Sequence, residues 1–187
     1  MRYDDEYSAA FQDPQAYWAS QASRIDWFKA PNTTISKTDF GTYSWYPDGE
    51  LNSCYLALDR HVAAGRQDQV ALYYDSPVSN TKEKITYSDL LTRVQRFAGA
   101  LKARGVKKGD TVLIYMPMIP EAAVAMLACA RLGAVHSVVF GGFAPHEMAI
   151  RIDDACPKMI LTASCGIEFD KQIAYKPLVD QAIDLAI

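Results

Sequence analysis

At 187 residues, half of them apolar, the chain is long enough to bury a real core, and one or two domains is the expectation. A net charge of −3, with Lys and Arg scattered, argues against a nucleic-acid surface. No apolar run approaches the roughly 20 residues that a bilayer span needs, and the acidic start MRYDDEYSAAF lacks the basic-then-apolar order of a secretory signal, so composition predicts a soluble intracellular protein.

The first 60 or so residues stand apart, with all three tryptophans (Trp18, Trp27, Trp45) and little strand periodicity. Asp13-Pro14 predicts a short helix, Asp13 capping it and Pro14 at its first position. Pro31 to Asp39 reads as polar and extended, and Pro47-Asp48-Gly49 as a turn. Leu51, Tyr55, Leu58 and Val62 are helix-spaced up to Gly65. The region reads as a wrapping arm whose aromatics dock on a larger body.

That body begins with a strand at Val70 to Tyr74 and a polar loop from Ser76 to Lys84. Ser88 is the expected cap of an amphipathic helix that carries Leu90, Leu91, Val94, Phe97, Ala98 and Leu101 on one face and stops at Gly105. Gly105 to Asp110 is a helix-to-strand connection with solvated lysines. Thr111 to Met116 predicts a buried parallel strand, and Pro120-Glu121 starts a helix that ends at Leu132 with Gly133 as left-handed cap. Ala134 to Phe140 is then a second buried strand, followed by Gly141 and Gly142. A helix from Pro145, with Glu147 in its first turn but no polar cap at Ala144, sets Met148, Ile150, Ile152 and Ala155 on a mixed face and ends at Pro157. Lys158 to Thr162 is a third strand, Ser164 to Lys176 a polar loop, and Leu178 to Ile187 a further helix.

Strands alternating with helices predict right-handed crossovers and a parallel sheet flanked by helices. No strand follows the last helix, so the sheet reads as unfinished. It should leave an unpaired edge and exposed apolar surface, a tendency to self-associate, and the chain as part of a longer protein.

Little chemistry is legible from spacing. There is no dinucleotide fingerprint, no Walker loop and no nucleophile elbow, and catalytic residues are expected to be none. Cys54, Cys129, Cys156 and Cys165 form no CxxC pair and read as structural thiols, while the three histidines lack ligand spacing, so metal ligands are also none. Ligands of open α/β sheets bind beyond the carboxyl ends of strands, which is where Gly141 and Gly142 fall. Turn geometry and close approach of a ligand both account for that glycine pair.

Several strings carry a resemblance. They are GELNSCYLALDRH at 49–61, ITYSDL at 85–90, GVKKGD at 105–110, YMPMIPE at 115–121 and AMLACARLGAVHSVVFGGF at 125–143. Together they resemble the N-terminal part of short-chain AMP-forming acyl-CoA synthetases, the acetyl- and propionyl-CoA synthetases. SCGIE at 164–168 and YKP at 175–177 look closer to the propionyl branch.

The resemblance implies an α/β fold forming the first part of the large N-terminal domain of an adenylate-forming enzyme. It assigns residues 1–61 to an acetyl-CoA-synthetase-type N-terminal segment and 62–187 to the first part of an AMP-binding domain. It also implies a two-step ligase: propionate or acetate attacks the α-phosphate of ATP, with Mg2+, and coenzyme A then displaces AMP. The phosphate loop and the mobile lysine that such enzymes use lie beyond position 187, so the 187 residues alone should be inactive. Gly142 matches the glycine past which the pantetheine arm of coenzyme A runs. The loop holding Glu168, Phe169, Asp170 and Lys171 matches the one whose two arginines bind the 3′-phosphate in acetyl-CoA synthetases. Here those arginine positions are Glu168 and Lys171; the lysine offers a point charge, whereas Glu168 and Asp170 would repel phosphate. The expected setting is the cytoplasm, with mitochondrial import left open, and neither nucleic acid nor membrane is an expected partner. The alternative is a stand-alone coenzyme A-binding or protein-interaction module without catalysis.

Overall fold

The computed structural model describes residues 2–169 and 171–187. The chain divides into two compact units, one through Asn52 and one from Ser53 onward.

The N-terminal unit holds helices α1 (Tyr3–Gln12) and α2 (Pro14–Ala22) and a small antiparallel pair, β1 (Ile35–Lys37) with β2 (Tyr43–Trp45). Helix α2 starts as its sequence predicts: Pro14 occupies the first turn, and the Asp13 carboxylate accepts the Ala16 amide at 2.9 Å. The unit is held by its aromatics. Trp18 and Trp45 meet edge to face at 5.5 Å, the Trp27 indole donates to the Ala22 carbonyl at 2.8 Å, and the Tyr46 hydroxyl donates to the Trp18 carbonyl at 2.9 Å. Trp18, Ile25, Trp45 and Tyr46 line a cavity of about 320 Å³.

The second unit opens with helical turns. A π-helical turn, Tyr55–Asp59, runs into α3 (Arg60–Ala63) and ends near Gly65, which takes a positive φ of 78°. Next come β3 (Val70–Ser76) and β4 (Thr81–Thr86), an antiparallel ribbon. Most of the polar loop expected at 76–84 is therefore strand. Of its Thr-Lys-Glu-Lys run, Thr81, Lys82 and Lys84 face solvent and Glu83 pairs with Arg93, so charge is tolerated on this two-stranded ribbon and no apolar alternation is required. Helix α4 (Tyr87–Ala103) is capped by Thr86 and not by Ser88: the Thr86 hydroxyl accepts the Asp89 amide at 3.1 Å, so the helix starts as soon as β4 ends.

The centre is a three-stranded parallel sheet in the order β6-β5-β7, with β5 Thr111–Met116, β6 Val135–Phe140 and β7 Met159–Thr162. Helix α5 (Pro120–Leu132) joins β5 to β6, ending at Gly133 with φ 70°; α6 (Pro145–Ala155) joins β6 to β7. Strand β5 is buried from Val112 through Tyr115 and feeds two cores. Val112 packs with Leu101, Val106, Val124 and Cys129 under α4 and α5. Leu113 and Tyr115 pack with Val139, Met148, Tyr175 and Val179 on the other side.

The second strand departs from expectation. Only Val139 of β6 is buried; Val135, Val138 and Phe140 are more than half exposed, because β6 is an edge strand with β5 as its one neighbour among the described residues. The apolar surface expected of the sheet lies here. Ile150 likewise turns outward on α6, where Met148 and Ala149 take the core positions.

The polar loop expected at 164–176 is a hairpin, β8 (Cys165–Glu168) and β9 (Lys171–Ala174), followed directly by α7 (Tyr175–Leu185). Helix α7 begins three residues ahead of the expected Leu178, because Pro177 sits within its first turn, where a missing N–H costs nothing. Helices α6 and α7 pack together, and both reach the sheet.

Candidate functional site

The carboxyl ends of the parallel strands are built from glycines on one side and tyrosines on the other. After β6 the chain turns through Gly141 and Gly142, and the Phe143 amide closes the turn on the Phe140 carbonyl at 3.1 Å. Neither glycine takes a positive φ, so turn conformation demands glycine at neither position.

Gly141 has a steric reason. A Cβ there would stand 2.5 Å from the Tyr175 hydroxyl and 2.9 Å from the Met116 carbonyl oxygen. Gly142 has a weaker one: its nearest neighbour would be the edge of the Phe140 ring at 3.0 Å, a side chain that is two-thirds exposed and meets Phe143 edge to face. Gly142 is itself solvent-exposed, so away from the Phe140 ring its backbone stays open.

Tyr115 projects from β5 into the same region. It is fully buried, donates its hydroxyl to the Phe143 carbonyl at 3.1 Å, and lies 4.8 Å from the Tyr175 ring. Burial raises the hydroxyl pKa of both tyrosines, with Glu168 and Cys165 adding to the rise at Tyr175; both stay protonated at neutral pH. The Arg151 guanidinium sits 4.7 Å over the Phe143 ring, and its Nη1 donates to the Glu147 carbonyl at 2.6 Å, so a fixed cation flanks the glycine turn.

The other nominated residues occupy the β8–β9 hairpin. Glu168 and Lys171 face each other as its last paired positions, and Phe169 sits in the turn at φ 54° with its ring 89% exposed. Asp170 lies outside the described residues. The hairpin is tied to the glycine turn through Tyr175, whose hydroxyl also occupies the space that a Cβ on Gly166 would need. So Glu168, Phe169 and Lys171 share one turn, Gly142 belongs to a second, and a buried tyrosine lies between the two segments.

Sequence reasoning passed over Tyr115, Arg151 and Tyr175. Tyr115 sat in a strand otherwise read as aliphatic, and Tyr175 in a stretch read as loop. Only the conjunction of a glycine pair, a strand-borne tyrosine and a tyrosine before Lys-Pro could have pointed to them.

Away from the strand ends, Arg131 extends from α5 to the π-helical turn and bonds Asp59 through both nitrogens, at 2.7 and 2.8 Å. Cys54, buried beside this pair, has its thiol pKa raised by desolvation. A cleft of about 630 Å³ between β4, α4 and α5 is crossed by the Glu83–Arg93 ion pair and contains none of the nominated residues.

Comparison with known proteins decides the family. The AMP-binding enzyme profile matches residues 59–185, more than half of the chain. The chain belongs to the AMP-binding enzyme family. A second profile, the acetyl-coenzyme A synthetase N-terminus, matches residues 3–57. Among relatives of the chain, an uncharacterized Pseudomonas aeruginosa protein is 58% identical over all 187 residues, which make up 30% of that protein. A Bos taurus protein named acyl-CoA synthetase short-chain family member 3, mitochondrial, is 50% identical over 97% of the chain and 26% of its own length. The acetyl-coenzyme A synthetase of Shewanella oneidensis is 46% identical over 96% of the chain and 29% of its own length. The chain thus spans under a third of the length of these relatives. No helix among the described residues is long and apolar enough to cross a membrane.

Proposed function

We propose that these residues form the front of a short-chain acyl-CoA synthetase that activates propionate or acetate with ATP and passes the acyl group to coenzyme A. The observation that carries the reading is the run of two profiles along one chain: an acetyl-CoA-synthetase N-terminus at 3–57, then an AMP-binding enzyme from 59. The division of the chain proposed here, 1–61 and 62–187, follows from the same reading.

Within it, the strand-end glycine turn and the β8–β9 hairpin supply part of the coenzyme A surface, with Gly142 and the Glu168–Lys171 turn as its elements. Two features support this assignment. Glycine at 142 is not required by backbone conformation, and away from the Phe140 ring its exposed backbone is open to a thin extended ligand. Lys171 stands at an exposed turn where its ammonium can reach phosphate oxygens. Glu168, opposite it, reduces that attraction, so the hairpin contributes orientation more than affinity. ATP, Mg2+ and the reacting carboxylate meet residues elsewhere in the longer enzyme.

The test is direct. The longer enzyme, given ATP, Mg2+, coenzyme A and propionate, should form propionyl-CoA and AMP. The 187-residue chain under the same conditions should release no pyrophosphate. Pyrophosphate release by the isolated chain, or no acyl-CoA from the longer enzyme with any short carboxylate, overturns the proposal.

A further inference from the structure

Three segments converge on one side chain at the strand ends. Tyr175 is the first residue of α7; its amide donates to the Ser164 carbonyl at 3.0 Å, which joins the end of the hairpin back to the residue before it starts. Its ring is buried, with 5% exposed, and lies against Tyr115. Its hydroxyl fills the space above two glycines on different segments: Gly141 on the turn after β6 and Gly166 on β8. Tyr115 completes the link by holding the far end of the glycine turn at the Phe143 carbonyl.

We propose that Tyr175 is a positioning residue for coenzyme A: a wedge whose hydroxyl and ring set the separation between the Gly141–Gly142 turn and the β8–β9 hairpin. This inference rests on the assignment of those two segments to the coenzyme A surface. Tyr175 does not touch the ligand. It acts through the two backbones it props apart, and both must be glycine at the contact because the hydroxyl already occupies the Cβ space.

The physical argument is one of stiffness. A ligand that runs along one turn and reaches a cation on another loses contact when either shifts. Geometric slack on the scale of 1 Å is enough to cost one to two orders of magnitude in activity. A two-stranded hairpin is only marginally stable alone, so its orientation has to come from whatever it packs on. Here that support is the tyrosine pair.

Substitutions in the longer synthetase, with steady-state kinetics for each substrate, test this. Tyr175→Leu should raise KM for coenzyme A roughly tenfold, while carboxylate-dependent ATP–pyrophosphate exchange stays within about twofold of wild type. Gly141→Ala pushes the hydroxyl from the opposite side and should reproduce the defect. Adding Tyr175→Phe, which deletes the oxygen the new methyl meets, should restore part of it; the Met116 carbonyl at 2.9 Å keeps the rescue incomplete. In the 187-residue chain, Tyr175→Leu should speed amide exchange in 140–143, 165–169 and 171–174 together and leave the β3–β4 ribbon unchanged.

The wedge is refuted if coenzyme A KM is unchanged, if pyrophosphate exchange falls in parallel, or if Tyr175→Phe fails to rescue Gly141→Ala. The last comparison holds even if the leucine variant does not fold. If wild type shows normal pyrophosphate exchange and acyl transfer, but Lys171→Glu and Gly142 variants leave coenzyme A KM untouched, the site assignment fails first. The exchange data would then still report whether Tyr175 couples the two segments.

Discussion

Arg131→Met removes an ion pair that ties the π-helical turn at Tyr55–Asp59 to helix α5. Both Arg131 nitrogens engage the Asp59 carboxylate at 2.7 and 2.8 Å, and the side chains are only 25% and 22% exposed. Exposed pairs contribute about 0.2–1 kcal/mol, and breaking a fully buried pair costs about 3–5 kcal/mol. A pair three-quarters buried, with bidentate geometry, falls between, and roughly 2 kcal/mol is the expected loss for Arg131→Met. Asp59→Asn should cost about as much. The double variant should lose less than the sum, leaving a coupling of roughly 1.5 kcal/mol. The Asp59 carboxylate raises the Arg131 pKa further above its already high value, so the arginine stays charged throughout and adds no pH dependence of its own. Urea unfolding of the 187-residue chain at pH 7, followed by far-UV circular dichroism, is the assay. Tryptophan fluorescence is unsuitable because Trp18, Trp27 and Trp45 all lie in the N-terminal unit. A loss under about 0.5 kcal/mol for Arg131→Met, or a coupling indistinguishable from zero, refutes the reasoning.

Four further outcomes are expected. Asp110 accepts the Lys107 amide at 2.7 Å and pairs with Lys158 at 3.2 Å, and both hold its carboxyl below the usual range. Its contribution is therefore present above the ordinary carboxylate pKa and lost as pH falls through the lowered value, so Asp110→Asn should flatten the acid limb of the stability curve. Burial pushes the Cys129 thiol up to about 11, so at pH 8 an aromatic disulfide reagent should titrate exposed Cys156 quickly and Cys129 only on unfolding. Gly133→Ala forces a Cβ into a left-handed cap, 3.0 Å from the Lys108 side chain, and should lower stability by about 1–2 kcal/mol in the same urea assay. In the longer enzyme, Lys171→Glu should raise coenzyme A KM roughly tenfold, which corresponds to about 1.4 kcal/mol, and leave ATP KM unchanged.

The core of the fold was legible wherever burial dictates pattern. Strand β5, helix α5 and its Gly133 cap have the ends that proline, apolar run and glycine assign to them, because each boundary is a local chemical event. The β3–β4 and β8–β9 hairpins were not. The first part of β4 and most of β9 are exposed on ribbons two strands wide, so lysine and glutamine occupy them without penalty and the composition reads as loop, although Ile85 at the end of β4 is in the core. The exposure of β6 was equally hidden: Val-His-Ser-Val-Val-Phe is what a buried strand looks like, and only the sheet order puts it at an edge. At the strand ends, the glycine pair was visible as a place where a ligand could approach. The reason for Gly141 was not, because it depends on a tyrosine 34 positions away whose segment shows no periodicity.

Carboxylate-dependent exchange of labelled pyrophosphate into ATP by the longer enzyme tests the central claim most directly. The account predicts rapid exchange with propionate or acetate, no stimulation by octanoate, and none from the 187-residue chain. Exchange that ignores short carboxylates, or exchange catalysed by these 187 residues alone, would contradict it.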